Sequence, residues 1–309
     1  MTRRETLFYA CVLILMGAGW GITIPLTKIA VSTGYGHFGL VFWQLAIGCV
    51  IMGTVCTLRG IRLPLNPRAL RLYLILALIG TILPNTAGYQ AAVHLPSGIL
   101  SLLLSMVPMF AFPVALLLGN DRFEARRLVG LGCGLFGVLL IVAPGAEVSL
   151  NLPLFWVAIA LIPGMFYAFE GNYVAKWGTE GLDAFQVMWG ATLIGVLLMG
   201  PVSVLSGQFV TPVWPPNIPQ AALAASSVVH VFVYATYVWL VGRAGAVFAV
   251  QVSYLVMGFG LLWAKLILSE AYSPLIWAAL AAMFLGMYLV QPRPKVALAD
   301  APAMGNTKG

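Results

Sequence analysis

Charge is what this chain has least of. Asp, Glu, Lys and Arg make up 8% of its 309 residues against 61% hydrophobic, and the mean hydropathy is +0.98. A soluble domain carries about 25% charged residues. So few charges cannot clothe a surface in water, and the chain reads as an integral membrane protein. Strict apolar/polar alternation is also missing. The apolar runs are long and continuous, which excludes a transmembrane barrel and leaves helices of about 20 residues. Cys11, Cys49, Cys56 and Cys133 lie inside apolar runs with no CxxC or His/Cys ligand spacing, so neither a disulfide framework nor a metal site is expected. HExxH and GxSxG do not occur, the three histidines are far apart, and Asp121, Asp183 and Asp300 fall outside the apolar runs. The residues for zinc, serine-nucleophile or paired-aspartate chemistry are therefore not assembled, and neither enzyme activity nor a cofactor is expected. The net charge of +7 sits in short loops, where it is a topology signal and not a nucleic-acid footprint.

What is present is a series of ten apolar segments: 7–31, 38–58, 70–92, 97–118, 127–143, 154–176, 184–206, 219–242, 245–268 and 274–291. Turn residues separate them at Pro64, Asn66-Pro67, Gly119-Asn120-Asp121, Pro144-Gly145 and Trp214-Pro215-Pro216-Asn217. Arg3 and Arg4 ahead of LFYACVLILM imitate a secretion signal, but the run continues through Lys28, so an uncleaved span is expected. With a cytoplasmic N-terminus, fourteen of the sixteen Lys and Arg residues fall on one side and only Lys28 and Lys265 on the other. Both exceptions lie near segment ends, where a lysine can snorkel. An even number of spans brings the C-terminus to the cytoplasm too, and the small, polar residues of 293–309 read as a flexible tail.

The two halves resemble each other at an offset near 149: Gly119-Asn120-Asp121-Arg122-Phe123 aligns with Leu268-Ser269-Glu270-Ala271-Tyr272, Gly137 with Gly286, and Lys28 with Lys176 at 148. The expected fold is therefore an all-α polytopic membrane protein of ten helices in two five-helix repeats, 1–146 and 150–292. Five is odd, so the repeats insert in opposite senses. Inverted repeats are characteristic of secondary transporters, whose substrate site lies at the bilayer midplane between the halves.

Trp20-Gly21 followed by Lys28, the stretch PSGILSLLLSMVPMFAFPVALLLGNDRFEARRLVGLGCGLFGVLLI (96–141) and its counterpart RAGAVFAVQVSYLVMGFGLLWAKLILSEAYSPLIWAALAAMFLGMYLV (243–290) resemble the EamA repeat of the drug/metabolite transporter superfamily. The resemblance covers nearly all of 7–291. It implies ten helices, export of small metabolites and alternating access. Asp121 and Glu270 match the family's acidic residue after the fourth and ninth helices, and Pro96-Ser97-Gly98 and Ala244-Gly245-Ala246 match the small residues that open those helices. A basic residue often found in the family's second helix is absent, and Gln44 lies in that region. The preferred subgroup is that of exporters of aromatic amino acids.

Polar residues within spans are costly and face the bundle interior. Helical spacing groups Ser227, His230, Tyr234 and Tyr237; Thr81, Asn85 and Tyr89; Ser97, Ser101 and Ser105; Tyr167 and Glu170; Gln251 and Tyr254; and Trp20, Ile24, Thr27 and Lys28. The expected substrate contacts are Trp20, Asn85, Tyr89, Ser101, Ser105, Tyr167, His230, Tyr234, Gln251 and Tyr254. Aromatic faces suit a large apolar side chain and an ammonium, and hydroxyls and amides suit the charged ends of a zwitterion. The small-molecule cargo this implies is an amino acid such as Phe, Trp, Tyr or Met, exported across the cell's inner membrane, with the lipid bilayer as the other partner and no nucleic acid. The alternative is proton-coupled efflux of another class of cargo through Glu170, which reads either as a proton carrier or as a fixed structural partner. Bland readings stand beside these. Serines four apart often serve helix packing, and Tyr35, Trp43, Tyr73, Trp239 and Trp277 near span ends read as interfacial anchors. Gly130, Gly134 and Gly137 read as a close helix contact, as do Gly17, Gly19 and Gly21. Pro108 and Pro113 break backbone hydrogen bonds and supply an expected hinge. Lys28 is expected to anchor the outer end of its helix, not to bind cargo.

Overall fold

A computed structural model of the chain describes residues 3–142, 154–244, 246–249 and 251–290. The Pro144-Gly145 turn, Gly245 and the 293–309 tail lie outside the described residues. Among those described, all regular structure is helical. Eight segments are long and apolar enough to cross a membrane, joined by two shorter apolar helices at Val252–Leu268 and Pro274–Val290. The outward faces are apolar, with Leu15 71% and Leu117 87% exposed. Apolar patches of this extent belong against lipid, and the chain is a multi-pass membrane protein.

In chain order the elements are α1 (Arg3–Ala30), α2 (His37–Leu58), α3 (Pro67–Ala77), a wide π turn (Leu78–Ile82), α4 (Leu83–His94), α5 (Ser97–Leu104), α6 (Val107–Leu118), α7 (Ala125–Val142), α8 (Leu154–Trp177), α9 (Ala184–Leu205), α10 (Ile218–Ala244), α11 (Ala246–Ala249), α12 (Val252–Leu268) and α13 (Pro274–Val290). Local chemistry sets many ends. Asn66 accepts from the Ala69 N–H at 2.9 Å with Pro67 in the first turn of α3. Asp183 and Gln186 form a reciprocal capping box at α9. Gly119, at φ 72°, closes α6 in the left-handed region.

Three apolar segments are not plain helices. The third widens into the π turn just before Pro84, which lacks the N–H that a regular turn would donate to Gly80, four residues earlier. The fourth breaks at Ser105-Met106, where Pro108 leaves the carbonyl of Leu104 without its donor. The ninth divides into α11 and α12, and α10 runs on to Ala244. These revise the expected boundaries at 242 and 245, because the sequence signal at that junction, Arg243 followed by the small residues Ala244-Gly245, is not a strong breaker.

Helix α1 lies against α10 and α12, α2 against α9 and α10, α3 against α9, α4 against α8, α5 and α6 against α8, α5 against α12, and α7 against α13. The α7–α13 crossing is the tightest kind. A Cβ added at Gly286 would meet the Gly130 carbonyl at 2.8 Å and the Gly134 nitrogen at 3.1 Å, so backbone touches backbone. Tyr73, expected at the membrane interface, is instead fully buried beneath Gly190 of α9, whose missing side chain leaves room for the ring. Hydropathy along α3 does not register that neighbour.

Charges at the helix ends cap neighbouring helices. Lys28 Nζ donates to the carbonyls of Ala92 (2.7 Å) and Val93 (3.1 Å) at the end of α4, and Lys176 Nζ donates to Leu118 O (2.7 Å) at the end of α6. A cation at a helix C-terminus complements the dipole. Glu270 does the converse for α5, accepting the backbone N–H groups of Ser97 (2.7 Å) and Gly98 (3.0 Å). Glu270→Ala should therefore lower stability by about 1–2 kcal/mol, read as a fall in melting temperature in detergent, with Glu270→Gln falling less. An unchanged melting temperature in both variants would show that the cap contributes nothing.

Candidate functional site

A track of polar side chains runs through the bundle on α1, α2, α4, α8 and α10. At one edge Trp20 Nε1 of α1 donates to His230 Nδ1 of α10 at 3.2 Å. The bond fixes the imidazole with Nδ1 as acceptor, so the neutral ring carries its proton on Nε2, for which the described residues provide no acceptor. Tyr237, two turns along α10, rests its ring 5.6 Å from Trp20. One turn beyond His230 on the same face is Tyr234, whose hydroxyl lies within electrostatic range of Glu170 on α8. Tyr167, three residues before Glu170, donates to Asn85 Oδ1 of α4 at 3.1 Å. One turn on, Tyr89 donates to Gln44 Oε1 of α2 at 2.9 Å.

Glu170 is set apart from the rest. It lies within the bundle and is half-buried. It rests against the π turn at Gly80: a Cβ there would collide with Oε1 and approach Cδ to 2.8 Å. Among the described residues no donor or cation pairs with it, in contrast to Asp121, which holds Arg127.

Of the residues expected to meet substrate, Trp20, Asn85, Tyr89, Tyr167, His230 and Tyr234 share the track. Four lie elsewhere. Ser101 and Ser105 are buried with their hydroxyls bonded back to their own helix, to Ser97 and Gly98 and to Ser101 respectively, and Ser101 packs on Gly260 of α12. Gln251 is exposed at the start of α12. Tyr254 stacks on Phe284, 6.0 Å between ring centres, with its hydroxyl buried and unpaired. Pro108 opens α6 and Pro113 lies within it, both off the track. Two participants had little sequence signal. Gln44 is the lone amide of α2, and Gly80 becomes notable only through the proline four residues after it.

A shallow recess lined by Ala184, Phe185, Met188, Tyr234, Ala235 and Val238 lies beside the track, with no room even for a water. A cargo of amino-acid size enters this arrangement only if helices move apart.

Residues 7–143 match the EamA-like transporter family. A probable terminal-alkyne amino-acid exporter of Streptantibioticus cattleyicolor is 26% identical over 189 residues, 59% of this chain and 60% of that protein. An uncharacterized transporter of Bacillus subtilis, YdfC, is 23% identical over 181 residues, 58% of each. An uncharacterized transporter of Archaeoglobus fulgidus is 32% identical over 85 residues, 27% of this chain and 29% of that one. The match thus spans 60% or less of the length of these relatives. One solved crystal structure superposes with a TM-score of 0.62 over 93% of this chain and 96% of its own at 19% identity, a likeness of fold alone.

Proposed function

We propose, from the match of residues 7–143 to the EamA-like transporter family, that the whole chain is a secondary transporter. Its cargo is an amino acid with an aromatic or other large apolar side chain, exported across the cell's inner membrane, and it carries out no enzymatic chemistry. The carrying observation is the track of aromatic and amphipathic groups around Trp20, His230, Tyr234, Tyr167 and Glu170 that links α1, α10, α8 and α4 inside the bundle. Polar residues at that depth are costly and are retained where they meet a polar cargo. The amino-acid exporter among the relatives supports the same cargo class.

The architecture of the proposal is two inverted repeats of five spans with both termini cytoplasmic. Exchanging the halves maps α1 onto α8, α2 onto α9, the α3–α4 unit onto α10, the α5–α6 unit onto α11–α12, and α7 onto α13. Helix contacts follow the exchange. α1 on α10 corresponds to α8 on α4, α1 on α12 to α8 on α6, and α3 on α9 to α10 on α2, while α2–α9 and α7–α13 map onto themselves. Interrupted helices in the fourth and ninth spans are the usual form of such a site. Alternating access then opens the track to one side at a time, with the α5–α6 break and Pro113 as the hinge.

Export is tested in cells overproducing the chain and fed dipeptides containing phenylalanine or methionine. Faster appearance of the free amino acid in the medium than from vector controls is expected. Equal appearance for every amino acid tried would remove the cargo assignment. A second reading, proton-coupled efflux of another cargo through the unpaired Glu170, predicts that outcome together with efflux of a non-amino-acid substrate driven by a pH gradient.

A further inference from the structure

We propose that Glu170 and the π turn at Leu78–Ile82 form a subsite for a primary ammonium, the α-amino group of the cargo, facing a carboxylate subsite at His230 Nε2–H. The inference rests on the amino-acid reading above and assigns each end of the zwitterion to a place.

A carboxylate in low dielectric demands a positive partner, because its own desolvation is expensive. The described protein supplies none to Glu170, and no cationic side chain acts on it. Among the described residues the other interior charges have partners: Lys28 has helix-end carbonyls, and Arg127 has Asp121 and Glu124. An unanswered acid among answered ones marks where a ligand's charge goes. The surroundings fit an ammonium in particular. Such a group has three donors and needs acceptors in more than one direction. One is the carboxylate. A second direction is the π turn, where Pro84 contributes no N–H and leaves the Ile79-Gly80 turn one backbone donor short. Gly80 has no side chain, and only so can the carboxylate lie against that turn. Backbone carbonyls freed from regular helix pairing are a recurring way of holding a cation at mid-membrane. The hydroxyls of Tyr167 and Tyr234 lie within electrostatic range of the carboxylate. On the other side of Tyr234, His230 lies one turn along α10, with no acceptor for its Nε2–H among the described residues.

The test uses the full chain in liposomes, following phenylalanine uptake against three competitors: phenethylamine with only the ammonium, 3-phenylpropionate with only the carboxylate, and N-acetylphenylalanine with the amine capped. Wild type should be inhibited by phenethylamine and ignore the capped compound. Glu170→Gln, close in volume, should raise the KM for phenylalanine at least about tenfold and abolish inhibition by phenethylamine, leaving inhibition by 3-phenylpropionate in place. Gly80→Ala should raise KM in the same direction, while Gly88→Ala, whose Cβ would meet only Pro163 at 3.6 Å, should not. Melting temperatures confirm that each variant is folded. An unchanged KM in Glu170→Gln overturns the subsite. So does loss of response to a pH gradient with KM intact, which makes Glu170 a proton carrier, and so does a sodium requirement that the variant abolishes. If wild type moves no amino acid, the cargo reading fails. The subsite is then judged by phenethylamine alone: it survives if the amine raises the melting temperature of wild type but not of Glu170→Gln, and falls otherwise.

Discussion

His230→Ala should cost about 10–100-fold in amino-acid flux, the equivalent of about 1.5–3 kcal/mol for a hydrogen bond to a charged group, without unfolding the protein. Two losses combine. The Nε2–H proposed to meet the cargo carboxylate disappears, and the Trp20 Nε1–H, bonded to Nδ1 at 3.2 Å, is left without its acceptor inside the bundle. Trp20→Phe separates the two: it removes only the Trp20–His230 bond, lets the imidazole turn, and should cost less than the alanine variant. Initial rates in liposomes, with melting temperature as the control for folding, measure both. If both variants transport like wild type, the α1–α10 pair is packing and the carboxylate end of the site lies elsewhere.

Gly286→Leu should be the most destabilising of single changes in the bundle, at about 3 kcal/mol or more. The added side chain meets the Gly130 carbonyl at 2.8 Å and the Gly134 nitrogen at 3.1 Å, and backbone cannot step aside as a flexible side chain can. Gly130→Leu should behave alike, since its Cβ meets Val290 at 2.7 Å and Gly286 O at 2.8 Å. The internal control is Gly132→Leu on the same helix α7, where nothing lies within 4 Å and the new side chain points to open space. Melting curves of the three variants in one detergent decide it. A Gly132→Leu loss as large as that of Gly286→Leu would mean that helix propensity and not the α7–α13 contact is being measured.

The spans were legible in the sequence because hydropathy is a sum over about 20 residues and tolerates local irregularity. Asn66-Pro67 and Gly119 carry their own turn chemistry and ended helices where expected. The close contact at Gly130, Gly134 and Gly137 was legible because small residues spaced three and four apart share one helix face. Contacts between distant residues were not. Glu270 caps a helix 173 residues away, and nothing within either local stretch announces the other. Ser101 and Ser105 have the same spacing as the track residues, but their face meets Gly260, and spacing alone does not distinguish a neighbouring helix from a cavity. Tyr73 was misplaced for the same reason, with Gly190 the neighbour it could not signal. The π turn needs the pairing of Gly80 with Pro84, and its meaning comes only from Glu170 on another helix.

The central claim, that this bundle moves amino acids with large apolar side chains through the Trp20–His230–Tyr234–Glu170 track, is tested most directly by purified protein in liposomes preloaded with unlabelled phenylalanine. Labelled phenylalanine, tryptophan or methionine is supplied outside and initial uptake followed. The account predicts saturable uptake well above protein-free liposomes, stimulated by the internal amino acid and lost in His230→Ala. Uptake indistinguishable from protein-free liposomes for all three amino acids would contradict it.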